Sequence, residues 1–244
     1  MFSDFSNLLA AIKEGRSVEL LLNWNCIGFL RWGLQCLKGL DEADKAFSTI
    51  NAQYSENVVF VSADKEMLNQ IVNGDYWQTI LMAKSPVDLK TCESEMVARY
   101  LDQFKKGLLK GNYPIVPRYG LIPKYHMIYV TGSHHGFELM NDTMAKARSK
   151  SLSDQFIKDF LFDMTPDAVR RDLDVLPEKI LSFIKANPKQ LFKPDIKIKL
   201  ISQLGAFAKY EDKMFTAAVR ALRKEKKISP YNGRKVLEVC YEAI

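Results

Sequence analysis

The chain has 244 residues, 47% of them hydrophobic, and carries a formal net charge of +6 at pH 7. This is enough apolar material for a substantial core, in one large domain or in a main domain with an appendage. No run approaches 18 uninterrupted apolar residues, so the sequence predicts no membrane-spanning helix. We therefore expect a soluble protein.

The N-terminal segment and the cysteines indicate a reducing compartment. Residues 1–15 lack the basic start and the small-residue cleavage site of a signal peptide. The cysteines are widely scattered, with no CxxC pair and no histidine at metal-ligand spacing; they are Cys26, Cys36, Cys92 and Cys240. Free thiols fit this pattern better than disulfides or zinc. We therefore expect a cytoplasmic protein without a metal site.

The first predicted elements indicate an α/β domain. A short helical face over residues 6–15 is followed by the continuous apolar run VELLLNW at 18–24. Such a run after a glycine is typical of a strand buried on both faces. Residues 27–40 predict a helix that ends at Gly39. This alternation predicts a parallel sheet, as in a partial Rossmann or methyltransferase-like fold.

The middle of the chain predicts helices and one unusual strand. Ser62 or Asp64 would cap a helix that runs toward Gly74, since either side chain can accept from the free N–H groups of a first turn. Residues 93–109 predict an amphipathic helix. Residues 111–124 contain three prolines, which cannot donate to a central ladder, so this segment predicts an edge strand or an ordered loop.

Residues 125–147, YHMIYVTGSHHGFELMNDTMAKA, predict a buried strand, a glycine-bearing turn and a helix. His134 and His135 stand at the turn. Adjacent side chains diverge, and no Glu or His partner stands at helical spacing, so one metal ion would not bind both. Two readings remain open: a ligand or phosphate contact at a helix N-terminus, or one capping and one solvent-exposed histidine.

Asn23 and Asn25 flank Trp24 at the end of the first predicted strand, where open α/β sheets bind ligands. The tripeptide echoes the Asn-Pro-Pro-aromatic motif of amino-methyltransferases without its prolines, and the alternative is a structural Asn turn. The chain has no GxGxxG, GxxxxGK[ST], GxSxG or HExxH motif. Because no glycine loop follows the first strand, we expect no cofactor to be bound by this chain alone.

The charge is concentrated in the C-terminal third. Residues 170–244 hold 17 Lys and Arg against 9 Asp and Glu, a net charge of +8, whereas residues 1–169 hold 18 against 20, a net charge of −2. A basic tail behind a near-neutral body favours a polyanionic partner. The alternative is a lysine-rich solvated helix surface.

The same region predicts a winged helix. The segments PEKILSFIKAN, PDIKIKLISQLGAF and DKMFTAAVRALRKEKKI each have one apolar face, and the first two begin with proline. Asn232–Gly233 between short β-prone runs then predicts a hairpin. The segment DMTPDAVRRDLDVLP is a candidate connection between two domains. We therefore predict an α/β domain at residues 1–165 and a winged-helix domain at 166–244.

In a winged helix the third helix usually enters the major groove and the hairpin contacts the backbone. The candidate nucleic-acid-binding residues on this helix and wing are Lys213, Arg220, Arg223, Lys224, Lys226, Lys227, Arg234 and Lys235. These cations would displace counterions from a nucleic acid and give salt-dependent binding. Many winged helices instead dock on proteins, so a protein-docking module remains the alternative.

Several stretches together resemble the three-Cys-motif partner (TcmP) family. They are VELLLNWN with the later Arg31, NGDYWQTI, MVARYLDQFKKG, YHMIYVTGSHHGFELMNDTM and FTAAVRALRKEKKI. The resemblance covers the later two-thirds of the family pattern. The early FxGPG-like glycine loop has no counterpart here, and the family's His-Pro-(Lys/Arg)-Gly reads His134-His135-Gly136.

The resemblance implies a methyltransferase-type Rossmann core with a C-terminal winged helix, a phage or mobile-element setting and a three-Cys-motif protein as partner. It also implies ligand contacts from Arg31, His134 and His135. We therefore predict a nucleic-acid-associated protein, binding DNA through its winged helix, with a catalytically incomplete methyltransferase-like core.

Two alternatives remain open beside this prediction. The first is an S-adenosylmethionine-dependent methyltransferase completed by a partner chain, with Asn23, Asn25 and His134 near the substrate. The second is a protein-docking module of a phage or mobile-element system.

Overall fold

The computed structural model describes residues 19–51, 64–83, 88–104, 106–115, 122–159, 175–186, 193–203, 205–231 and 240–243. It has a mixed α/β composition that is mostly helical. The chain forms two compact units: Met1–Lys110 with Pro114–Gly132, and Gly111–Tyr113 with Ser133–Ile244. The predicted domain boundary at 165–166 lies outside the described residues.

The first unit contains a small sheet and five helices among its described residues. Its elements are β1 (Glu19–Trp24), α1 (Cys26–Lys38), α2 (Leu40–Asn51), α3 (Lys65–Val72), α4 (Tyr76–Met82), α5 (Leu89–Asp102), β2 (Leu109–Ile115) and β3 (Tyr125–Thr131). Only the ends of β2 belong to this unit, because Gly111–Tyr113 belong to the second. The strand order is β1-β3-β2. Strand β1 pairs antiparallel with β3, with Leu20 opposite Val130 and Trp24 opposite His126.

The predicted parallel sheet is wrong for this pair of strands. The run VELLLNW was interpreted as buried on both faces, but β1 lies at an edge of the sheet and only one of its faces is covered. Leu20 points into the core, while Glu19 and Asn23 are exposed and Leu21 is 46% exposed. One covered face is typical of an antiparallel sheet, whereas a parallel sheet is normally covered on both.

Side-chain caps set the helix boundaries in this unit. The Asp64 carboxylate accepts from the Met67 N–H at 2.7 Å, which confirms the predicted cap of α3. Helix α1 ends as predicted at Gly39, whose φ of +88° suits a residue without Cβ. Helix α5 begins at Leu89 rather than 93, because Asp88 accepts from the first free N–H groups.

Helix α1 lies at the centre of the core of this unit, against α2, α3, α4, α5 and β3. Leu30 and Leu34 on α1 are fully buried, as are Trp77 and Met96 on the surrounding helices. Burying each such side chain contributes about 2 kcal/mol, so this helix organises much of the unit's stability. Ile80 and Leu81 of α4 are buried in the same core.

The second unit contains a long helix, three shorter helices and a pair of strands among its described residues. They are α6 (His134–Asp159), α7 (Leu176–Ala186), α8 (Lys193–Gln203), α9 (Asp212–Lys224), β4 (Ile228–Tyr231) and β5 (Cys240–Ala243). Strands β4 and β5 pair antiparallel, with Tyr231 opposite Cys240. The predicted order of three helices followed by two paired strands is present, while the predicted turn at Asn232–Gly233 lies outside the described residues.

The predicted strand–turn–helix at 125–147 is confirmed. Strand β3 ends at Thr131, and α6 begins at His134 after the turn at Gly132. The Ser133 hydroxyl accepts from the Gly136 N–H at 3.0 Å, so serine rather than histidine caps this helix. Among the described helices, none combines the length and the apolar content needed to cross a bilayer.

A buried contact between a histidine and a carboxylate joins α5 to the sheet. His126 Nε2 on β3 lies 2.5 Å from Glu93 Oε1, and both side chains are more than 90% buried. The second carboxylate oxygen accepts from the Ser94 hydroxyl at 3.2 Å. Removing one partner of such a pair leaves the other polar group buried without compensation, which is costly.

We predict that Glu93→Ala lowers the free energy of unfolding by about 3 kcal/mol, because His126 would lose its buried partner. Urea denaturation of the full chain measures this change. Glu95→Ala is the matched control, because Glu95 lies on the same helix but is exposed, and it should change stability by less than about 0.5 kcal/mol. Equal losses in the two variants would contradict a structural role for the pair.

Candidate nucleic-acid interface

Helix α9 has one buried face and one basic face. Phe215, Ala218, Val219 and Leu222 are buried, at the i, i+3, i+4 and i+7 spacing of a single helical face. The exposed side carries four cations, which we call the basic face of α9: Lys213, Arg220, Arg223 and Lys224. Lys213, Arg220 and Lys224 are seven and four residues apart, which aligns them opposite the buried face.

The cations of α9 and of the turn after it differ in their partners. Lys213 Nζ lies 2.8 Å from Glu211, and Lys227 Nζ lies 2.7 Å from Glu225. Within the part of the chain that the structure describes, the remaining exposed cations form no ion pair; they are Arg220, Arg223, Lys224 and Lys226. The predicted wing residues Arg234 and Lys235 lie outside the described residues.

The C-terminus of α9 closes with a Schellman motif. The Lys227 N–H donates to the Leu222 carbonyl at 2.9 Å, and the Lys226 N–H donates to the Arg223 carbonyl at 3.0 Å. Lys226 has a φ of +56°, a conformation in which glycine is usual and other residues are strained by about 1 kcal/mol. The motif turns the chain directly into β4, whose Ile228 is buried.

The N-terminus of α9 is held by a carboxylate from α6. Asp142 Oδ1 accepts from the Asp212 N–H at 2.9 Å, and Asp142 Oδ2 lies 2.6 Å from Lys146 Nζ. Burial alone would raise the pKa of Asp142, but the hydrogen bond from Asp212 and the Lys146 ammonium outweigh it and hold the pKa below its ordinary value. This carboxylate therefore acts as an ionised cap from a neighbouring helix.

A buried amide fixes the turn that leads into α9. Asn141 is fully buried on α6; its Nδ2 donates to the Tyr210 carbonyl at 3.0 Å and its Oδ1 accepts from the Ala208 N–H at 2.9 Å. Ala208 has a φ of +60°, so the turn is tight and its backbone groups need partners. Phe207 in the same turn packs against Phe137 of α6, with ring centroids 5.3 Å apart.

A second polar cluster lies at the start of α9. Lys197 on α8 is buried; its Nζ lies 2.8 Å from Asp212 and 3.5 Å from Glu138. The Ser149 hydroxyl lies 3.0 Å from Glu211, whose side chain is 6% exposed. Lys197 and Asn141 were not predicted from the sequence, since a lone Lys or Asn within a helix gives no signal of a buried partner far along the chain.

The other predicted site residues occupy structural positions. Asn25 caps α1, because its side-chain oxygen accepts from the Gly28 N–H at 2.9 Å, and Asn23 is exposed on β1. This agrees with the alternative interpretation of the two asparagines as a strand-end turn. Arg31 is buried; its Nη2 donates to Asp44 Oδ1 at 2.8 Å, which joins α1 to α2. A ligand contact by Arg31 stays a prediction.

The histidines at the turn lie in the second unit, and the asparagines lie in the first. His134 and His135 are the first two residues of α6, and both side chains are exposed. The predicted capping histidine is wrong, because Ser133 caps this helix, whereas the predicted solvent exposure holds for both histidines. A ligand or phosphate contact by either histidine stays a prediction.

The cysteines of the first unit carry no sign of reactivity. Cys26 and Cys92 are buried, and neither forms a disulfide in the part of the chain that the structure describes. Burial raises the pKa of the Cys26 thiol well above its ordinary value, and the nearby Glu93 and Cys92 raise it further. Among the described residues, no group of three or more His, Cys, Asp and Glu side chains is placed to hold a metal ion.

The chain matches no protein-family model, no curated protein and no solved structure. The resemblance to the TcmP family therefore rests on the sequence stretches quoted above. Polar contacts from α6 and α8 hold the first turn of α9, its apolar face packs against α7, and its basic face is exposed.

We predict that Asp142→Asn lowers the free energy of unfolding by about 1 kcal/mol at pH 7, since it removes the charge at the N-terminus of α9. Because the folded pKa of Asp142 is depressed, its contribution is present above about pH 4 and is lost as the pH falls through the folded value. Urea denaturation of both proteins between pH 7 and pH 3 measures the difference.

The control for this variant is Asp75→Asn. Asp75 precedes α4 without a side-chain capping bond, so its substitution should change stability little at any pH. A stability difference for Asp142→Asn that does not shrink as the pH falls would contradict the role of its charge.

We predict that Lys226→Gly raises the free energy of unfolding by about 0.5–1 kcal/mol, because glycine adopts the left-handed conformation without strain. Lys224→Gly removes the same charge from the last turn of α9 and should instead lower stability by about 1 kcal/mol. Thermal unfolding of the two variants gives the comparison. A loss of stability in Lys226→Gly would contradict the strain at this position.

Proposed function

We propose that this chain binds duplex DNA through the basic face of α9 and the turn that follows it, with the β4–β5 pair beside the helix as in a winged helix. The observation that carries the proposal is the set of four exposed cations without ion-pair partners in the described structure, at Arg220, Arg223, Lys224 and Lys226. Cations with free hydrogen-bonding capacity can neutralise phosphates and release the counterions condensed on DNA.

The packing around α9 supports this use of the helix. Its apolar face packs against α7, β4 continues directly from its C-terminal turn, and β5 contacts α7. The buried face is thereby occupied, and the basic face is left as the outer surface of the helix. Three helices followed by a hairpin, with the third helix exposed, is the arrangement by which winged helices bind DNA.

The family resemblance adds context to this proposal. It supports a cytoplasmic protein with a catalytically incomplete methyltransferase-like first unit, and a three-Cys-motif protein as a candidate partner. The antiparallel pairing of β1 with β3 departs from the parallel sheet of a Rossmann core. The DNA-binding proposal therefore depends on the second unit and not on a reaction in the first.

The proposal is tested by fluorescence anisotropy with a labelled duplex over a series of salt concentrations. Four unpaired cations predict that the logarithm of affinity falls with the logarithm of salt concentration with a slope of about −4. The triple variant Arg220→Glu, Arg223→Glu, Lys224→Glu should lose at least about 100-fold in affinity at low salt, because three attractive contacts become repulsive.

A triple variant of the first unit is the matched control: Lys90→Glu, Arg99→Glu, Lys106→Glu. These three cations are exposed and the net charge changes by the same amount, so a merely general charge effect would weaken both variants equally. We expect the control to retain affinity within about threefold. Absence of binding at low salt, or equal loss in the two triple variants, would contradict the proposal.

A further inference from the structure

The two ends of α9 carry opposite charge. Three carboxylates surround its first turn: Glu211, Asp212 and Asp142 from α6. The single cation of the basic face at this end, Lys213, is already paired with Glu211. The last turn and the residues after it carry five cations, which we call the basic end of α9: Arg220, Arg223, Lys224, Lys226 and Lys227.

The acidic end of α9 is already occupied by a carboxylate of the protein. The first N–H groups of a helix form a natural anion site, but here the Asp212 N–H donates to Asp142. Glu211 is fixed in place by Ser149 and is 6% exposed. Lys197 neutralises part of this charge through its contact with Asp212. Because the Lys197 side chain is only 8% exposed, its ammonium group is not accessible to a ligand.

The basic end is open by contrast. A helix C-terminus normally repels phosphate, because its last carbonyl groups are unpaired and carry the negative end of the helix dipole. In α9 the carbonyls of Ala221, Leu222 and Arg223 accept hydrogen bonds from the following turn. The cations of the basic end then outweigh what remains of the dipole, so this end attracts phosphate.

We infer that the duplex contacts the basic end of α9 and the turn before β4, and that it is bound through its phosphates without preference for base sequence. The inference rests on the proposed function and adds its orientation and its specificity. Reading bases in the major groove normally uses the N-terminal residues of the recognition helix. In this chain those residues are acidic or paired, and carboxylates there repel the phosphates that line the groove.

Glu225 limits the affinity of this site. It lies within the basic end, and its carboxylate holds Lys227 at 2.7 Å although both side chains are about half exposed. An exposed ion pair of this kind is weak, so phosphate competes with Glu225 for the same ammonium group. Replacing the carboxylate by an amide releases Lys227 for one more phosphate contact.

Two lysines on one face of α9 provide a matched test of the orientation. Lys213 and Lys224 are both exposed, and Lys→Glu at either position gives the same change in charge. Anisotropy titrations of the full chain with a duplex of about 20 base pairs should show at least a tenfold loss for Lys224→Glu. Lys213→Glu should change affinity by less than about threefold, because Lys213 lies beside Glu211 and Asp212 at the end of α9 that the duplex does not contact.

The same titrations test the other two parts of the inference. Glu225→Gln should bind several-fold more tightly, with a salt slope steeper by about 0.9, the value of one additional phosphate contact. Unrelated duplex sequences of equal length should bind the unsubstituted chain within about threefold of one another. Thermal unfolding of each variant shows whether a loss of affinity comes with a loss of folding.

The outcomes separate this inference from the function on which it rests. If the unsubstituted chain binds no duplex at low salt, the proposed function is overturned. If it binds, but Lys213→Glu weakens binding as much as Lys224→Glu, only the orientation is overturned. A preference of more than about 100-fold for one duplex sequence would overturn phosphate-based binding, since contacts to phosphates carry no sequence information.

Discussion

The buried side chain of Asn141 is the interaction on which the second unit depends. Its amide satisfies both a donor and an acceptor of the turn at residues 205–211, and it does so from the interior of α6. Leaving two backbone groups buried without partners would cost several kcal/mol. The position of α9 is therefore set by a polar contact at its beginning, and apolar packing of its inner face completes the arrangement.

That constraint also determines how the charges of α9 are distributed. Because α6 provides Asn141 and the neighbouring Asp142, the first turn of α9 lies among carboxylates. The Lys197 ammonium group neutralises part of their charge through its ion pair with Asp212. At the last turn Glu225 pairs with Lys227, but both side chains are exposed, and the other cations there remain exposed without an ion pair in the described structure. A contact that stabilises the fold thus leaves only one end of the helix free to attract a polyanion.

The sequence predicted those features that depend on local physics. The Asp64 cap, the end of α1 at Gly39 and the strand–turn–helix at 125–147 follow from short-range preferences, and the apolar spacing of α9 follows from helical periodicity. The parallel sheet was wrong because an apolar run does not reveal that one face of β1 is uncovered. Asn141 and Lys197 were not predicted, since their partners lie far along the chain. Their structural role follows only from their burial, which the sequence does not reveal.

Hydrogen exchange measured with and without a bound duplex shows which end of α9 the duplex contacts. Exchange reports local opening of backbone amides, so a ligand slows it where it contacts or stabilises the chain. Binding at the basic end of α9 predicts slower exchange over residues 220–231, which hold that end and β4, with no change over residues 205–212. Slower exchange over residues 205–212, without an effect over 220–231, would contradict the account.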